Sequence, residues 1–209
     1  MSLRPLIIPI CLIFSLSLAA EDYSTPKGRV MEATGKVVAI LKEKSNDREA
    51  SWQKIAAVIR DNFDFRSMSQ SVLATHWKSA TEDEQERFTE FFSQYIEETY
   101  RSKIESYTDQ KILYKDEIIR GDRAVVETVI DTGTTEIPVN YKLRNNDGEW
   151  YAYDIVIEGV SLVANYRSTF AAIVKNEGMD GLLLDIQRRI KKYKDEQAAE
   201  QAKEAAAGS

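Results

Sequence analysis

The sequence has few of the side chains on which many enzymes and metal sites depend. Its 209 residues include one histidine and one cysteine, with only 9 glycines and 4 prolines. Transition-metal sites and thiol or serine–histidine nucleophiles draw on several such side chains. No glycine-rich phosphate loop is present in the sequence either. These shortages exclude many classes of enzyme.

An excess of positive charge is missing as well. The chain carries 28 Lys and Arg against 34 Asp and Glu, a formal net charge of −6. Nucleic-acid-binding proteins normally present a clustered positive surface, so no nucleic-acid partner is expected. With 43% apolar and 30% charged residues, the composition is that of an ordinary folded protein.

The first twenty residues have the pattern of a secretory signal peptide. Arg4 precedes an uncharged apolar run over residues 6–18, which ends in the small residues Ala19 and Ala20. This order predicts export and cleavage after Ala19 or Ala20. A retained membrane anchor is the alternative, but the run is shorter than the roughly 20 apolar residues that span a bilayer. Because Cys11 leaves with the signal, the mature chain would depend on its core rather than on disulfides.

Helical spacing of apolar residues follows the signal segment. It predicts helices over residues 26–44 and 48–63 and a third helix that Asp64 caps. Thr81 and Glu84 have the spacing of a capping box, which opens a fourth, long helix. The third helix is predicted to carry Met68, Val72, Leu73 and Trp77. The buried face of the long helix is predicted to hold Phe88, Phe91, Phe92, Tyr95, Ile96, Tyr100, Ile104 and Tyr107. Its solvent face is predicted to hold Glu86, Glu90, Gln94, Glu97, Arg101 and Glu105.

A period of two replaces the helical period after residue 107. It predicts four strands, at residues 111–119, 123–130, 135–143 and 150–157. Short turn-forming breaks between them favour antiparallel hairpins. One face of the third strand is predicted to carry Ile137, Val139, Tyr141 and Leu143. One face of the fourth is predicted to carry Tyr151, Tyr153, Ile155 and Ile157.

Helical spacing then returns, in two helices separated at Gly178. Ser161 is predicted to cap the first of them. The polar residues 194–209 lack an apolar stripe and are predicted to form a disordered tail. The predicted fold class is α+β, with a curved four-stranded antiparallel sheet, helices packed on it, a helical N-terminal half and two C-terminal helices. Residues 21–193 would form one domain.

Candidates for catalysis are few. Asp154 and Glu158 could form an acid–base pair, but a structural role for Asp154, such as accepting a hydrogen bond from a backbone amide, is the favoured interpretation. His76 has no second histidine or cysteine to share a metal, so it is interpreted as a surface or capping residue. Neither a catalytic site nor a metal site is therefore predicted.

Large amphipathic side chains are the unusual feature of the composition. The sequence has 10 Tyr, 7 Phe and 3 Trp, concentrated on the long helix, on the third and fourth strands and on the helix that follows them. Two interpretations stay open on composition alone: a well-packed core, or a sheet and a helix that enclose an apolar cavity for a lipid-like ligand.

One stretch of the sequence is long and specific enough to indicate a family. It runs from Trp150 to Phe170. Its most specific parts are Glu158-Gly159-Val160-Ser161-Leu162 and Asn165-Tyr166-Arg167. Here, and over nearly the whole mature sequence, the chain resembles the MlaC, or toluene-tolerance, family of periplasmic phospholipid-binding proteins. Departures stand at Ala74, Thr75 and Thr169, where the family often has Gly, Arg and Gln.

The resemblance implies a periplasmic shuttle that carries a phospholipid between the inner and outer membranes, not an enzyme, and one without a cofactor. The implied partners are an inner-membrane ABC transporter complex with its lipid-binding ring protein, and an outer-membrane lipoprotein complex. In the family the acyl chains lie between the sheet and the helices. Another amphiphile such as a hopanoid is an alternative cargo. An enzyme of ketosteroid-isomerase-like architecture, using Asp154 or Glu158, is the third hypothesis.

The predicted lipid contacts are chosen by face and location within this arrangement. They combine large apolar residues of the long helix, the third and fourth strands and the start of the following helix. The set is Tyr100, Ile104, Val139, Tyr141, Tyr153, Ile155, Val160, Leu162, Tyr166 and Phe170.

Overall fold

The computed structural model describes residues 22–43, 45, 47–107 and 109–207, so the predicted signal segment lies outside the described residues. The helices are α1 (Pro26–Lys42), α2 (Arg48–Asn62), α3 (Phe65–Leu73), α4 (Thr75–Ser79), α5 (Glu82–Glu105) and α6 (Leu162–Ala207). The strands are β1 (Lys111–Arg120), β2 (Arg123–Asp131), β3 (Glu136–Asn146), β4 (Glu149–Ile157) and β5 (Val160–Ser161). None of these described helices could cross a lipid bilayer.

The five strands form one antiparallel sheet in the order β1-β2-β3-β4-β5. Each strand follows its neighbour through a short turn. Two of the turns contain consecutive residues with positive φ, Asp147-Gly148 and Glu158-Gly159, which is the geometry of the type I′ hairpin turn. The predicted α+β class with an antiparallel sheet is confirmed. The fifth strand was not predicted, because two residues are too short to show a period.

A bulge in β4 changes which residues share a face of the sheet. Tyr141 on β3 pairs with Ile155, but the register then shifts and Leu143 pairs with Ala152. Residues paired across neighbouring strands point to the same face, so Ala152 and Ile155 share a face with Tyr141. The prediction that Tyr151 lies on the same face as Ile155 is wrong. The extra residue of a bulge reverses the alternation, and a period of two does not reveal it.

The predicted helix starts are confirmed by their side-chain hydrogen bonds. The Ser67 amide donates to Asp64 Oδ1 at 2.8 Å, and the Ala164 amide donates to Ser161 Oγ at 3.1 Å. Thr81 and Glu84 form the reciprocal bonds of a capping box. Each bond satisfies an amide of the first helical turn that has no partner within the helix.

The third predicted helix is divided in two at Ala74. This residue has φ 51° and ψ −114°, a conformation that costs little only for glycine. Trp77 therefore belongs to α4, not to a continuous helix that begins after Asp64.

Helix α5 buries two charged residues that were predicted to face solvent. Glu97 and Arg101 are each 4% exposed. Arg60 Nε on α2 donates to Glu97 Oε1 at 2.8 Å, and the Arg101 guanidinium lies over the Trp52 ring of α2 at 5.2 Å. Burial raises the pKa of Glu97, and Arg60 opposes that shift. The prediction failed because α2 covers this side of α5, a tertiary contact that helical periodicity does not report.

Helix α6 confirms one prediction and corrects another. Its backbone is interrupted at Gly178, at φ 73° and ψ −174°, where the sequence predicted a break. The helix then continues to Ala207, although a disordered tail was predicted from residue 194. Ala, Glu, Lys and Gln are strong helix formers, and Lys191 pairs with Asp195 at 2.7 Å. Gln197 Nε2 also donates to Glu98 Oε2 of α5 at 3.1 Å.

Most buried apolar residues of the described chain fall into three clusters. The helical cluster lies among α3 to α6 and contains Phe65, Met68, Val72, Leu73, Trp77, Phe88, Phe92, Tyr95, Ile96, Leu162, Val163, Tyr166, Phe170, Leu182, Leu183, Ile186 and Ile190. The sheet cluster joins α1 to the sheet and contains Val30, Ala124, Val126, Leu143, Trp150 and Ala152. The α2 cluster contains Trp52, Ile55 and Ala56. Phe63 packs against both the helical cluster and the sheet cluster.

The conformation of Ala74 generates a stability prediction. Ala74→Gly should raise the free energy of unfolding by about 1 kcal/mol, because relief of strain of about 1–3 kcal/mol exceeds the added entropy of the unfolded chain. Urea unfolding followed by circular dichroism measures the change. Ala80→Gly, at an ordinary φ of −72°, is the matched control and should destabilise. A loss of stability in Ala74→Gly would show that this backbone is not strained.

Candidate functional site

A cleft lies between α1, the end of α2 and one face of the sheet. It holds a small cavity of about 30 Å³ and is partly open to solvent. Its lining residues are Arg29, Val30, Ala33, Thr34, Asn62, Phe63, Tyr141, Leu143 and Ala152. Val30, Ala33 and Thr34 share one face of α1, since helical residues three and four apart are neighbours. The walls are apolar except for Arg29, Thr34 and Asn62.

The start of α1 is fixed against β1 and against the chain that precedes it. Lys27 Nζ donates to the Lys115 carbonyl at 2.7 Å, and the Lys27 amide donates to Glu117 Oε2 at 3.0 Å. A Cβ at Gly28 would lie 1.9 Å from the Asp22 carbonyl oxygen, so only glycine permits this close approach. These contacts hold one side of the cleft in place.

The floor of the cleft is the sheet face that carries Tyr141, Leu143 and Ala152. Leu143 is 1% exposed and Ala152 is 3% exposed, while Tyr141 is partly exposed. Burial of its hydroxyl raises the pKa of Tyr141 to about 12, with a smaller contribution from Tyr114. Tyr141 is therefore neutral at physiological pH. The floor presents an uncharged surface to whatever enters the cleft.

The structure brings one of the ten predicted lipid contacts, Tyr141, into this cleft. Five others belong to the helical cluster or pack against it: Tyr100, Ile155, Leu162, Tyr166 and Phe170. Ile104 packs against the α2 cluster, and Val139 is buried on β3. Tyr153 lies beneath the Arg144 guanidinium at 5.7 Å. Val160 is 57% exposed.

The aromatic residues between α5 and α6 form a closely packed core. Phe92 meets Tyr166 edge-on at 5.4 Å, and Phe170 contacts Phe88 and Phe92 in the same manner at 6.0 and 5.9 Å. Such edge-to-face contacts are favourable between aromatic rings. Burial, followed by the neighbouring Tyr95, raises the pKa of Tyr166. Of the two interpretations of the aromatic content, dense packing describes this region and the cleft lies elsewhere.

Sequence reasoning missed most residues of the cleft. The apolar stripe of α1 was visible, but nothing local showed that Val30 and Ala33 face the sheet. Leu143 was placed correctly beside Tyr141 by the period of two. Ala152 was missed because of the bulge in β4, and Phe63 was predicted as the last apolar position of a helix, not as a residue of the site.

Asp154 has the structural role that its sequence context favoured. Its Oδ1 accepts from the Val163 amide at 3.1 Å, and its Oδ2 accepts from Ser161 Oγ at 2.7 Å and from Lys142 Nζ at 2.8 Å. Both carboxylate oxygens of Asp154 therefore accept hydrogen bonds, from the start of α6 and from β3. Glu158 lies exposed in the β4–β5 turn. No group of metal-binding side chains occurs among the residues that the structure describes.

The contacts of Asp154 predict a large effect on stability. Asp154→Ala should lower the free energy of unfolding by about 3 kcal/mol, because it leaves a buried amide without an acceptor and Lys142 without its counter-charge. Chemical denaturation measures the loss. Glu158→Gln in the exposed turn is the control and should stay within about 0.5 kcal/mol of the wild type. Equal stabilities of Asp154→Ala and the wild type would contradict this role.

Two curated relatives align with most of the chain at low sequence identity. The intermembrane phospholipid transport system binding protein MlaC of Haemophilus influenzae is 23% identical over 185 residues, covering 84% of this chain and 86% of the relative. The toluene tolerance protein ttg2D of Pseudomonas putida is 23% identical over 181 residues, covering 85% and 84%.

A solved structure and a family model complete the comparison. The phospholipid-binding protein of Ralstonia solanacearum, solved in complex with a phospholipid, has a TM-score of 0.73 and 24% identity, covering 80% of this chain and 97% of that one. At this identity the likeness shows a common fold. The model of the MlaC protein family matches residues 31–188. The chain therefore belongs to the MlaC family.

Proposed function

We propose that this protein is a periplasmic carrier that binds a phospholipid and moves it between the inner and outer membranes. Its partners would be an inner-membrane ABC transporter complex with its lipid-binding ring protein, and an outer-membrane lipoprotein complex. Membership of the MlaC family and the names of the relatives support this proposal. The predicted signal peptide supports a periplasmic location.

The observation that carries the proposal is the apolar cleft between α1 and the sheet. Exposing a methylene to water costs about 0.8 kcal/mol, so two long acyl chains cost on the order of 20 kcal/mol when they leave a membrane. A carrier must offer a comparable apolar surface. Val30, Phe63, Leu143 and Ala152 provide the beginning of that surface.

The cleft must widen to hold a whole diacyl lipid. Its cavity of about 30 Å³ is far smaller than the range of about 300–1,000 Å³ for ordinary ligand sites. The route for widening is the junction at Phe63, where the sheet cluster meets the helical cluster. When the two clusters separate around acyl chains, each apolar surface exchanges its contact with the other cluster for a contact with a lipid chain. The apolar residues of both clusters therefore stay buried.

Most of the predicted lipid contacts lie outside the cleft, on the far side of the junction at Phe63. Val139 and Ile155 continue the sheet face of Tyr141 toward the helical cluster. Tyr100, Leu162, Tyr166 and Phe170 would meet the chains only after the clusters separate. Ile104, Tyr153 and Val160 remain predicted contacts at the margin of this region. The acyl chains are thus proposed to start in the cleft and to extend past Phe63.

An enzymatic role receives less support from the same geometry. Asp154 is held by three hydrogen-bond donors, and Glu158 is exposed in a turn. A general acid or base must reach a substrate proton, and neither carboxylate lines the cleft. The proposed function is therefore binding without turnover.

Filling the cleft tests the proposal. Ala33→Trp on the cleft face of α1 should lower the amount of phospholipid that co-purifies with the mature protein several-fold, because the indole occupies the space that an acyl chain needs. Organic extraction followed by lipid mass spectrometry measures the lipid-to-protein ratio. The same extraction identifies a hopanoid if that is the cargo.

Ala39→Trp is the matched control, because Ala39 lies on the same helix but is exposed. It should retain the lipid content of the wild type. Circular dichroism of both variants establishes that they are folded. A folded Ala33→Trp protein with undiminished lipid would place the site outside the cleft.

A further inference from the structure

Two polar side chains line the cleft with buried atoms that lack a partner. Arg29 Nε and Asn62 Oδ1 make no hydrogen bond with any residue in the described part of the chain. Folded proteins rarely leave a buried donor or acceptor unpaired, because the group has lost its water without replacement. An unpaired donor and an unpaired acceptor in one cleft indicate a ligand that carries both a hydrogen-bond acceptor and a hydrogen-bond donor.

Arg29 is held in place by its outer nitrogens. Nη2 donates to the Asp61 carbonyl at 3.2 Å, and Nη1 lies 3.4 Å from Glu32 Oε2 and 4.0 Å from Glu149 Oε2. The guanidinium also lies over the Tyr151 ring at 5.9 Å. These contacts fix the plane of the guanidinium and leave Nε–H as the donor without an acceptor.

Asn62 is held by its amide nitrogen, which donates to the Val58 carbonyl at 2.7 Å. Its Oδ1 remains as an acceptor at the cleft. Asp61, whose carbonyl binds Arg29, is the residue before Asn62, so the two unpaired atoms belong to one small region at the end of α2. Val30, Leu143 and Ala152 line the same cleft with apolar side chains. The cleft therefore offers both hydrogen-bonding atoms and apolar surface.

We propose that Arg29 and Asn62 form the head-group end of the lipid site, an inference that rests on the proposed phospholipid-binding function. Arg29 Nε–H donates to an oxygen of the phosphodiester, which every common phospholipid contains. Asn62 Oδ1 accepts a hydrogen bond from an N–H or O–H of the head-group alcohol. Ethanolamine and glycerol carry such a donor, whereas the nitrogen of choline is fully methylated. Arg29 thus contributes affinity for phospholipids in general, and Asn62 discriminates against phosphatidylcholine.

A competition between lipids tests both parts. Lipid-stripped mature protein is incubated with vesicles of equal parts phosphatidylethanolamine, phosphatidylglycerol and phosphatidylcholine that have identical acyl chains, and the bound lipid is extracted and quantified. The wild type should take up about fivefold less phosphatidylcholine than either other lipid. Asn62→Leu should remove this preference. Arg29→Met should lower the uptake of all three lipids about tenfold and leave their ratio unchanged.

Arg144→Met is the matched control. Arg144 also has a buried Nε without a partner among the described residues, but it follows Leu143 on β3 and so points away from the cleft. It should load like the wild type. Arg29→Lys keeps the positive charge and loses the Nε–H group, and it replaces Arg29→Met if thermal unfolding shows that the latter is not folded.

The outcomes separate this inference from the proposed function. A wild type that takes up the three lipids in equal amounts would overturn the role of Asn62. Wild-type loading by the folded Arg29 variant would overturn the role of Arg29. A folded wild type that takes up no phospholipid at all would instead contradict the proposed function.

Discussion

The buried carboxylate of Asp154 joins the two halves of this fold. It accepts hydrogen bonds from Ser161 and the Val163 amide at the start of α6, and it pairs with Lys142 on β3. A hydrogen-bonded buried carboxylate fixes geometry more strictly than apolar contact does, because its bonds are directional. The position of α6, and with it the helical cluster, therefore depends on the end of the sheet. The specific Glu-Gly-Val-Ser-Leu sequence is the turn and helix start that this arrangement requires.

The two main clusters meet at the Phe63 side chain, where the contact between them is apolar. The backbone beside it is held to β4 by the Asp64 amide, which donates to the Ala152 carbonyl at 2.9 Å. Apolar contacts are not directional, so the surfaces on either side can exchange protein atoms for acyl chains while both remain buried. Other polar contacts lie at the start of α1, at Asp154 and between α2 and α5. In the proposed carrier, the apolar side chains at this junction part around acyl chains while the Asp64–Ala152 bond and the other hydrogen bonds that define the fold stay in place.

Local features of the fold could be predicted from the sequence, and long-range ones could not. The caps at Asp64, Thr81 and Ser161 and the break at Gly178 depend on neighbouring residues, so their patterns were sufficient. Burial of Glu97 and Arg101 depends on α2, far away in sequence, and the reversed face of β4 depends on a single extra residue. Of the cleft, Tyr141 was predicted and Val30, Phe63 and Ala152 were not. Their common surface exists only once α1 packs on the sheet. The likeness to the MlaC family was strongest in one motif, part of which makes the Asp154 contacts, and it implied a phospholipid ligand before the structure indicated the cleft as a candidate site.

Native mass spectrometry of the mature wild-type protein, purified without detergent, tests the central claim most directly. The account predicts one bound species per protein chain, with the mass of a diacyl phospholipid and fragments that identify its head group. A hopanoid mass would keep a carrier and change its cargo. A folded protein that is empty and does not take up phospholipid from vesicles would contradict the account.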